Sequence, residues 1–444
     1  MDVDVDVDVD VDVDVDVDVD VDVDVDVDVQ DDRYRRTEVR ILLYYLCGVF
    51  AAAQLGKLAA LSPPIARELQ LGLAAMAALT SLLEICGATL GGAAGRWLPR
   101  LGLKRALAVA VLALAAGSAA AGFAHGLALL ALARLVESLG YLAIVVAAPV
   151  LIARAAEGRR QAAAMALWST FLPVGMAIGA WAYAHAAGWA GWRPAQALSV
   201  AGGLLLWIGL WAIRVDDDPH AVESRHPPGP TGALLWALVA AFGMYAIAEV
   251  GLLALLPSLL TQGGMSLSDA GTWTAAAALA NVPASAIGAW LLRRHGALSR
   301  AIAVGMVLSL GVSGLLYLGV MRDGGTPTWQ AALAIGINAA SGVFPSLVFA
   351  LLPLAARTPA RLSLASGRLT QFGASGALLG PPLMGTVVER WGWSAAGGLA
   401  LALSLLAIPL ALFAWRRLAQ SSDENPDAAT IGPHCVRSAA RRRA

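Results

Sequence analysis

Cysteine and histidine are scarce in this sequence, with three and six residues among 444. Cys47, Cys86 and Cys435 are too few and too far apart for a disulfide framework or a zinc site. The histidines all fall in expected loops, in tails or at the ends of apolar blocks, which argues against a buried histidine relay. We therefore expect no resident metal and no other cofactor.

Charged residues are also scarce, at 14% of the chain against about 25% in soluble globular proteins. Hydrophobic residues make up 58%, and the mean hydropathy is +0.67. The apolar residues fall in separate blocks of about the length that a transmembrane helix needs, roughly 20 residues. This composition predicts an all-α polytopic membrane protein in contact with the lipid bilayer, and no nucleic-acid partner is expected.

Short catalytic motifs are missing as well. The Gly56–Lys57 pair is followed by Leu58 instead of the Ser or Thr of a phosphate-binding loop. No Ser-His or Cys-His set, HExxH or Gly-x-Ser-x-Gly element is present. The sequence therefore argues against an enzyme and against ATP as a direct energy source.

Twelve apolar blocks predict twelve transmembrane helices. They cover approximately residues 41–61, 73–94, 105–124, 127–152, 162–184, 195–214, 232–257, 270–292, 301–320, 329–355, 364–387 and 394–415. Every second loop is basic, so that one side of the membrane carries 24 of the 31 Lys and Arg residues and the other side carries four. Because positive loops stay inside, both termini are predicted to be cytoplasmic in a multi-pass protein of the cell (inner) membrane.

The chain begins with an Asp-Val dipeptide repeat from Asp2 to Val29. Its fourteen aspartates, spaced two apart, repel one another, and no partner strand is evident. We expect residues 1–39, the repeat and its basic flank, to be disordered, and likewise the basic tail 418–444. Without the repeat's aspartates the formal net charge of −1 becomes +13, so the rest of the chain is basic.

An internal repeat divides the chain into two halves. "QLGKLAAL" at 54–61 aligns with "EVGLLALL" at 249–256, and "RALAV" at 105–109 with "RAIAV" at 300–304, both at a shift of 195. At a shift of 201, Gly175, Gly179 and Trp192 match Gly376, Gly380 and Trp393. The repeat predicts two pseudo-symmetric six-helix halves, 40–214 and 232–417, joined by the polar, proline-rich linker 215–231.

Two parallel six-helix halves are the plan of the major facilitator superfamily, and the loop "GRWLPRLGLKR" resembles that family's Gly-x-x-x-Asp-Arg-x-Gly-Arg-Lys motif. The loop keeps Gly95, Arg100, Gly102 and Lys104. Proline stands at 99 where the family has aspartate and leucine at 103 where it has arginine, so the family's cytoplasmic latch is altered here. The resemblance implies a secondary transporter that works by alternating access.

The stretch "RLVESLG", residues 134 to 140, resembles the family's fourth-helix motif, with Ser138 at its first glycine. Arg134, Glu137, Ser138 and Tyr141 share one helical face. Charged side chains in lipid cost several kcal/mol or more, so we expect this face to meet the transport path or its gate. Glu137 is the first candidate to exchange a proton, with Arg134 favouring its carboxylate. The alternative is a static ion pair that fixes packing.

Other polar residues inside the expected helices are further candidates. Glu249 and Glu84 are predicted to take part in proton coupling, or else to form hydrogen bonds between helices. The candidates for a substrate cavity are Gln54, Lys57, Tyr141, Tyr245, Arg368 and Gln371. Lys57 could instead reach the membrane surface with its amine, and Arg368 could meet a phosphate headgroup.

Taken with the resemblance, these residues predict a proton-coupled secondary transporter of a small organic solute. Three basic residues in the spans, Lys57, Arg134 and Arg368, give a slight preference for an anion. A drug or metabolite exporter of the same fold is the alternative within transport, and a non-transporting membrane sensor is the alternative from another class. The expected partners are the solute, protons and lipid, and the expected state is a monomer.

Overall fold

The structure, a computed structural model, describes residues 22–156, 159–213, 232–356 and 359–423. Across these ranges the regular structure is entirely helical. The first part of the chain forms α1 (Asp22–Leu69), α2 (Leu73–Ser81), α3 (Ile85–Trp97), α4 (Leu103–Gly122), α5 (Leu127–Ala155), α6 (Arg159–Trp168), α7 (Phe171–Ala190), α8 (Trp192–Ala195) and α9 (Ala197–Ala212). The second part forms α10 (Ala233–Gln262), α11 (Leu267–His295), α12 (Arg300–Val320), α13 (Pro327–Ser341), α14 (Val343–Ala356), α15 (Pro359–Trp391) and α16 (Trp393–Asp423).

Several expected spans consist of two consecutive helices. The second crossing is α2 and α3 with a 3-10 turn at Leu82–Glu84 between them, and the fifth, sixth and tenth are α6–α7, α8–α9 and α13–α14. Among the described residues, eleven segments are long and apolar enough to cross a membrane. The remaining expected span, the eleventh at 364–387, lies in α15, which has 33 residues but includes Arg368 and Glu389 among its charged side chains. The prediction of an all-helical membrane protein is confirmed, and the described helices are consistent with twelve crossings.

The helices extend beyond the expected spans at both ends of the chain. Helix α1 begins at Asp22 and α16 continues to Asp423, so parts of the segments 1–39 and 418–444 are helical where we expected disorder. Extending an existing helix adds one hydrogen bond per residue without a new nucleation cost, which favours such continuation. Residues 1–21, 214–231 and 424–444 lie outside the described residues, and with them the expected linker.

Glycines matched by the internal repeat permit the same close helix contact in each half. Helix α1 packs against α7 and α10 against α15. A Cβ at Gly179 would lie 2.2 Å from the Ala53 carbonyl oxygen, and one at Gly380 would lie 2.3 Å from that of Ile247. Both distances are too short for any side chain, so the glycines let the two backbones touch.

Tryptophans matched by the repeat connect equivalent helix ends. The Trp192 indole N–H donates to Glu68 Oε2 at 2.6 Å, and the Trp393 indole N–H donates to Gln262 Oε1 at 3.1 Å. Each bond joins the end of the first helix of a half to the start of its last crossing. The repeat read from the sequence therefore corresponds to repeated packing.

The two halves meet where α7 packs on α11, where α2 and α3 pack on α15, and where α1 packs on α10. We call the end of the bundle that carries the cation-rich loops the basic end. At the other end, every residue of 51–62 in α1 and of 251–260 in α10 is buried. A Cβ at Gly271 of α11 would lie 2.2 Å from the Ala184 Cβ of α7. The halves are thus tightly packed at the end opposite the basic loops.

Candidate functional site

The face of α5 predicted from the sequence is buried. Arg134, Glu137, Ser138 and Tyr141 are 2%, 0%, 0% and 5% exposed. Buried charges are costly unless they are paired and hydrogen-bonded, so their partners decide what this face does. Those partners come from α1, α2, α3 and α4.

Glu137 lies at the centre of a buried ion triad with Lys57 and Arg134. Its Oε1 accepts hydrogen bonds from Lys57 Nζ and from Ser118 Oγ, each at 2.7 Å, and its Oε2 accepts one from Arg134 Nη1 at 2.5 Å. Lys57 is only 1% exposed, so its amine does not reach the membrane surface. The triad carries a formal charge of +1, and both cations stabilise the Glu137 carboxylate.

A shell of neutral polar groups extends this triad. Gln54 Oε1 accepts a hydrogen bond from Ser199 Oγ at 3.0 Å and lies 3.3 Å from Ser118 Oγ. Tyr183 in turn is hydrogen-bonded to Ser199. The structure therefore joins the predicted residues Gln54, Lys57, Arg134 and Glu137 into one network, which lies inside the N-terminal half. Sequence reasoning missed the hydroxyl groups, because Ser and Thr are common in apolar helices.

Glu84 lies in the 3-10 turn that interrupts the second crossing, where an unbroken helix over 73–94 was expected. It is 7% exposed, and its side chain lies close to that of the predicted residue Tyr141. Glu84 has no ion pair among the described residues, since the buried salt bridges there are those of the triad. The pairing of Glu84 with Tyr141 was not foreseen, although both residues had been singled out.

Glu249 is the buried carboxyl group of the C-terminal half, and it is 6% exposed. Its Oε2 accepts hydrogen bonds from Ser341 Oγ at 3.0 Å and from the Tyr317 hydroxyl at 3.3 Å. Its Oε1 has no hydrogen-bond partner among the described residues, and no cation there forms an ion pair with it. Tyr245, predicted from its place one turn before Glu249, lies close to Asn281 and Ser341.

Tyr317 is a site residue that the sequence analysis missed. Its ring is 2% exposed, and a buried tyrosine hydroxyl usually finds a polar partner. A tyrosine within the apolar run 301–320 was therefore a usable signal, although it could not have named Glu249 as the partner.

Arg368 and Gln371 lie on α15, where the two halves meet. Gln371 Nε2 donates to the carbonyl oxygen of Ala88 on α3 at 3.0 Å, and the Arg368 guanidinium lies 4.7 Å from the ring centroid of Trp236. Arg368 is half-buried. The two residues form a polar stripe between the halves, apart from the triad inside the N-terminal half.

The loop motif after the second crossing surrounds the start of α4. Gly95 lies in α3 and Arg100 in the 3-10 turn Leu98–Leu101. Gly102 has a φ of 83°, a left-handed conformation that favours glycine, and it directly precedes α4. Lys104 donates a hydrogen bond to the carbonyl oxygen of Ile213, which ties this loop to the end of the sixth crossing within the same half.

A helical membrane bundle of two related halves, with polar groups buried between and within them, defines a class of membrane transport proteins. The sequence matches the Major Facilitator Superfamily over residues 44–357. The chain belongs to this superfamily, and its fold is that of a secondary transporter.

Solved structures agree on the fold. The crystal structure of a peptide transporter POT in complex with sulfate has a TM-score of 0.69 at 14% sequence identity, covering 85% of this chain and 95% of that one. A bacterial homologue of the human lysosomal transporter Spinster, in an inward-facing and occupied conformation, has a TM-score of 0.64 at 16% identity, covering 87% and 97%. No curated protein sequence matches this chain significantly. At such identities the likeness concerns the fold alone.

Proposed function

We propose that the protein is a proton-coupled secondary transporter of a small organic solute, in which Glu249 binds and releases the proton. The observation that carries this proposal is the environment of Glu249. The carboxyl group is buried, it has no cation partner among the described residues, and one of its oxygens accepts no hydrogen bond there. An ionised carboxylate is very costly in such a place, whereas a neutral carboxylic acid is tolerated.

The hydrogen bonds at Glu249 support Oε1 as the oxygen that carries the proton. Tyr317 and Ser341 both donate to Oε2, so that oxygen acts as the acceptor. Oε1 is left to hold the acid proton in this conformation. When the two halves rock, water or solute reaches Glu249. Solvation then lowers the free-energy cost of the ionised carboxylate, and the proton can leave.

Glu137 is the weaker candidate for the moving proton. Two cations and a serine hydroxyl already stabilise its carboxylate. These groups would have to move away from Glu137 before its carboxylate could take up a proton. We propose that the triad of Lys57, Arg134 and Glu137 instead holds the N-terminal half together. Glu84, which has no ion pair among the described residues, is the second candidate for proton binding.

The preference for an anionic solute rests on Arg368. In the triad, Glu137 offsets one of the two positive charges of Lys57 and Arg134. The Arg368 guanidinium lies over the Trp236 ring, and Gln371, one turn further along α15, contacts the other half. A guanidinium group binds carboxylates with two parallel hydrogen bonds. We propose that Arg368 and Gln371 meet the solute, with the basic end of the bundle facing the cytoplasm of a monomer in the inner membrane.

The experiment is proton flux in proteoliposomes that contain a pH-sensitive dye, with protein orientation fixed by protease cleavage of terminal tags. Labelled organic acids, neutral metabolites and lipophilic cations are added with and without an imposed pH gradient. The wild-type protein should couple at least one solute class to proton movement. Glu249→Gln should reduce gradient-driven accumulation at least about tenfold and keep exchange of the same solute without a gradient, because the neutral amide mimics the protonated acid. Glu38→Gln, at an exposed carboxylate, is the matched control.

Full gradient-driven accumulation by Glu249→Gln would refute the role of Glu249. If Glu84→Gln alone abolished coupling, the proton site would move to the second crossing. If no member of the panel moved in the wild-type protein in either orientation, the transport proposal itself would be contradicted for these solute classes.

A further inference from the structure

The second crossing is broken at its centre. Helix α2 ends at Ser81 and α3 begins at Ile85, and the Ile85 N–H bonds to the Leu82 carbonyl, three residues back. Thr80 and Ser81 contribute to the break, because their hydroxyl groups bond to backbone carbonyls of the preceding turn. A 3-10 segment within a longer helix often marks a functional hinge. The matching crossing of the C-terminal half, α11, is continuous over Leu267–His295.

One face of α5 supplies the hydrogen bonds at this break. Arg134 Nε and Nη2 donate to the carbonyl oxygens of Leu79 and Thr80, at 3.2 Å and 3.0 Å. In a regular α-helix those carbonyls would accept from residues 83 and 84, which lie in the 3-10 turn. Arg134 therefore donates hydrogen bonds to backbone carbonyl groups in the last turn of α2.

The same face satisfies the turn and the start of α3. Ser138 Oγ accepts a hydrogen bond from the Cys86 N–H at 3.1 Å, and the Tyr141 side chain lies close to that of Glu84. Ser138 stands where the family motif has glycine, which has no side chain to accept this bond. Three residues of α5 thus contact the region of the break. Arg134 contacts the end of α2, Ser138 the start of α3, and Tyr141 the turn between them.

The two arms of the broken crossing contact the C-terminal half separately. On the α2 arm, the Ala74 N–H donates to Glu389 Oε1 at 2.9 Å. On the α3 arm, the Ala88 carbonyl accepts from Gln371 Nε2 at 3.0 Å. Glu389 and Gln371 lie 18 residues apart on α15, a separation of roughly 27 Å along a helix. The break therefore lies between these two contacts across the halves, and the turn itself also packs on α15.

We propose that the turn Leu82–Glu84 is a hinge on which α2 and α3 move separately during alternating access, and that Arg134, Ser138 and Tyr141 are its positioning residues. A rigid second crossing would act as a lever, so that opening at one end would close the other. A hinged crossing lets one arm leave α15 while the other stays in contact. The proposal rests on alternating access and is independent of the proton role of Glu249.

The first test measures spin-label distances on the full chain in lipid nanodiscs, with Cys435 replaced by serine. One label pair, at positions 75 and 390, reports the α2 arm against α15, and a second pair, at 89 and 370, reports the α3 arm. Glu389→Ala removes the contact with the Ala74 N–H and should lengthen the first distance. A hinge predicts that the second distance stays unchanged. A shortening of the second distance together with the lengthening of the first would show a rigid lever and overturn the proposal.

The second test uses hydrogen–deuterium exchange to separate positioning from general packing. Ser138→Ala removes the acceptor of the Cys86 N–H and should raise exchange of residues 82–90 at least about tenfold, while α11 stays protected. Ser138→Thr keeps a hydroxyl and should restore wild-type exchange. Ser404→Ala is the matched control, because its buried hydroxyl bonds to a carbonyl of its own helix. Unchanged exchange at 82–90 in Ser138→Ala, or an equal rise throughout the bundle, would contradict a local positioning role.

Discussion

Each half of the molecule buries a carboxyl group near the middle of its helices, but the surroundings of the two groups differ. Glu137 accepts hydrogen bonds from a lysine, an arginine and a serine. Glu249 accepts hydrogen bonds from two neutral hydroxyl groups and has no cation partner among the described residues. Burial is nearly equal, so burial alone does not separate a structural carboxylate from one that can bind a proton. The charge of the groups that contact each carboxyl group does separate the two cases.

The internal repeat places this difference at matched positions of the two halves. At the shift of 195, Gln54 matches Glu249, Lys57 matches Leu252, and Ser118 matches Ser313. Helix α1 thus carries a cation where α10 carries an apolar side chain, and an amide where α10 carries an acid. The halves keep the same helix packing but distribute their charges differently: one half has a buried ion triad, and the other has a carboxyl group bonded only to hydroxyl groups among the described residues.

The largest effect should come from Glu137→Gln. This change leaves Lys57 and Arg134 buried without a carboxylate, and breaking a buried ion pair on one side costs about 3–5 kcal/mol. Glu249→Gln should change the free energy of unfolding by less than about 1 kcal/mol, because an amide resembles the neutral acid. Denaturant titration in lipid bicelles measures both values. Equal destabilisation by the two changes would erase the distinction between the halves.

A smaller effect is expected from the matched serines. Ser118 Oγ accepts from Lys57 and donates to Glu137, both at 2.7 Å, so Ser118→Ala should lower the free energy of unfolding by about 1–3 kcal/mol. Ser313 Oγ bonds to carbonyls of its own helix, and Ser313→Ala should cost less than about 1 kcal/mol. The same titration compares the two. A larger loss of free energy of unfolding for Ser313→Ala than for Ser118→Ala would mean that the ion network of the first half does not stabilise it more than the neutral hydrogen bonds stabilise the second.

Much of the fold could be predicted from the sequence, because its signals are local or periodic. Apolar blocks of membrane-spanning length gave the helices, and the matches at shifts of 195 and 201 reappear as the contacts of Gly179, Gly380, Trp192 and Trp393. The shared face of α5 also followed from helical spacing. What this face touches could not be predicted, because contacts between helices depend on how they cross.

Lys57 and Glu84 show the limit most clearly. Lys57 is 80 residues from Glu137 in the sequence, and nothing in the sequence of α1 indicates which side of the helix faces α5. The break at Leu82–Glu84 is formed by residues that occur readily in helices, and the hydrogen bonds from Arg134 and Ser138 accompany it. Long-range contacts thus decide both the role of a charge and the shape of a helix.

The smallest effect is expected at the surface, where the two halves again differ. Trp192 bonds to Glu68 in the first half, whereas in the second half the Asp323 carboxylate accepts the backbone N–H groups of Trp393 and Ser394, at 2.9 Å and 3.2 Å. The hydrogen bonds with Ser394 lower the pKa of Asp323 below its usual 3.8. A lowered folded-state pKa stabilises the fold above the unfolded value, and this contribution is lost as the pH falls through the folded value.

Asp323→Asn should therefore lower the free energy of unfolding at pH 7 only slightly, by less than about 1 kcal/mol, because the carboxyl group is mostly exposed to solvent. The difference from the wild-type protein should shrink as the pH falls below 3.8 towards 3. Thermal unfolding at a series of pH values measures this, with Glu38→Gln as a control at another exposed carboxylate. A difference that persisted unchanged at pH 3 would mean that the Asp323 side chain acts through its shape and neutral hydrogen bonds, and that its charge contributes nothing to the join between α12 and α16.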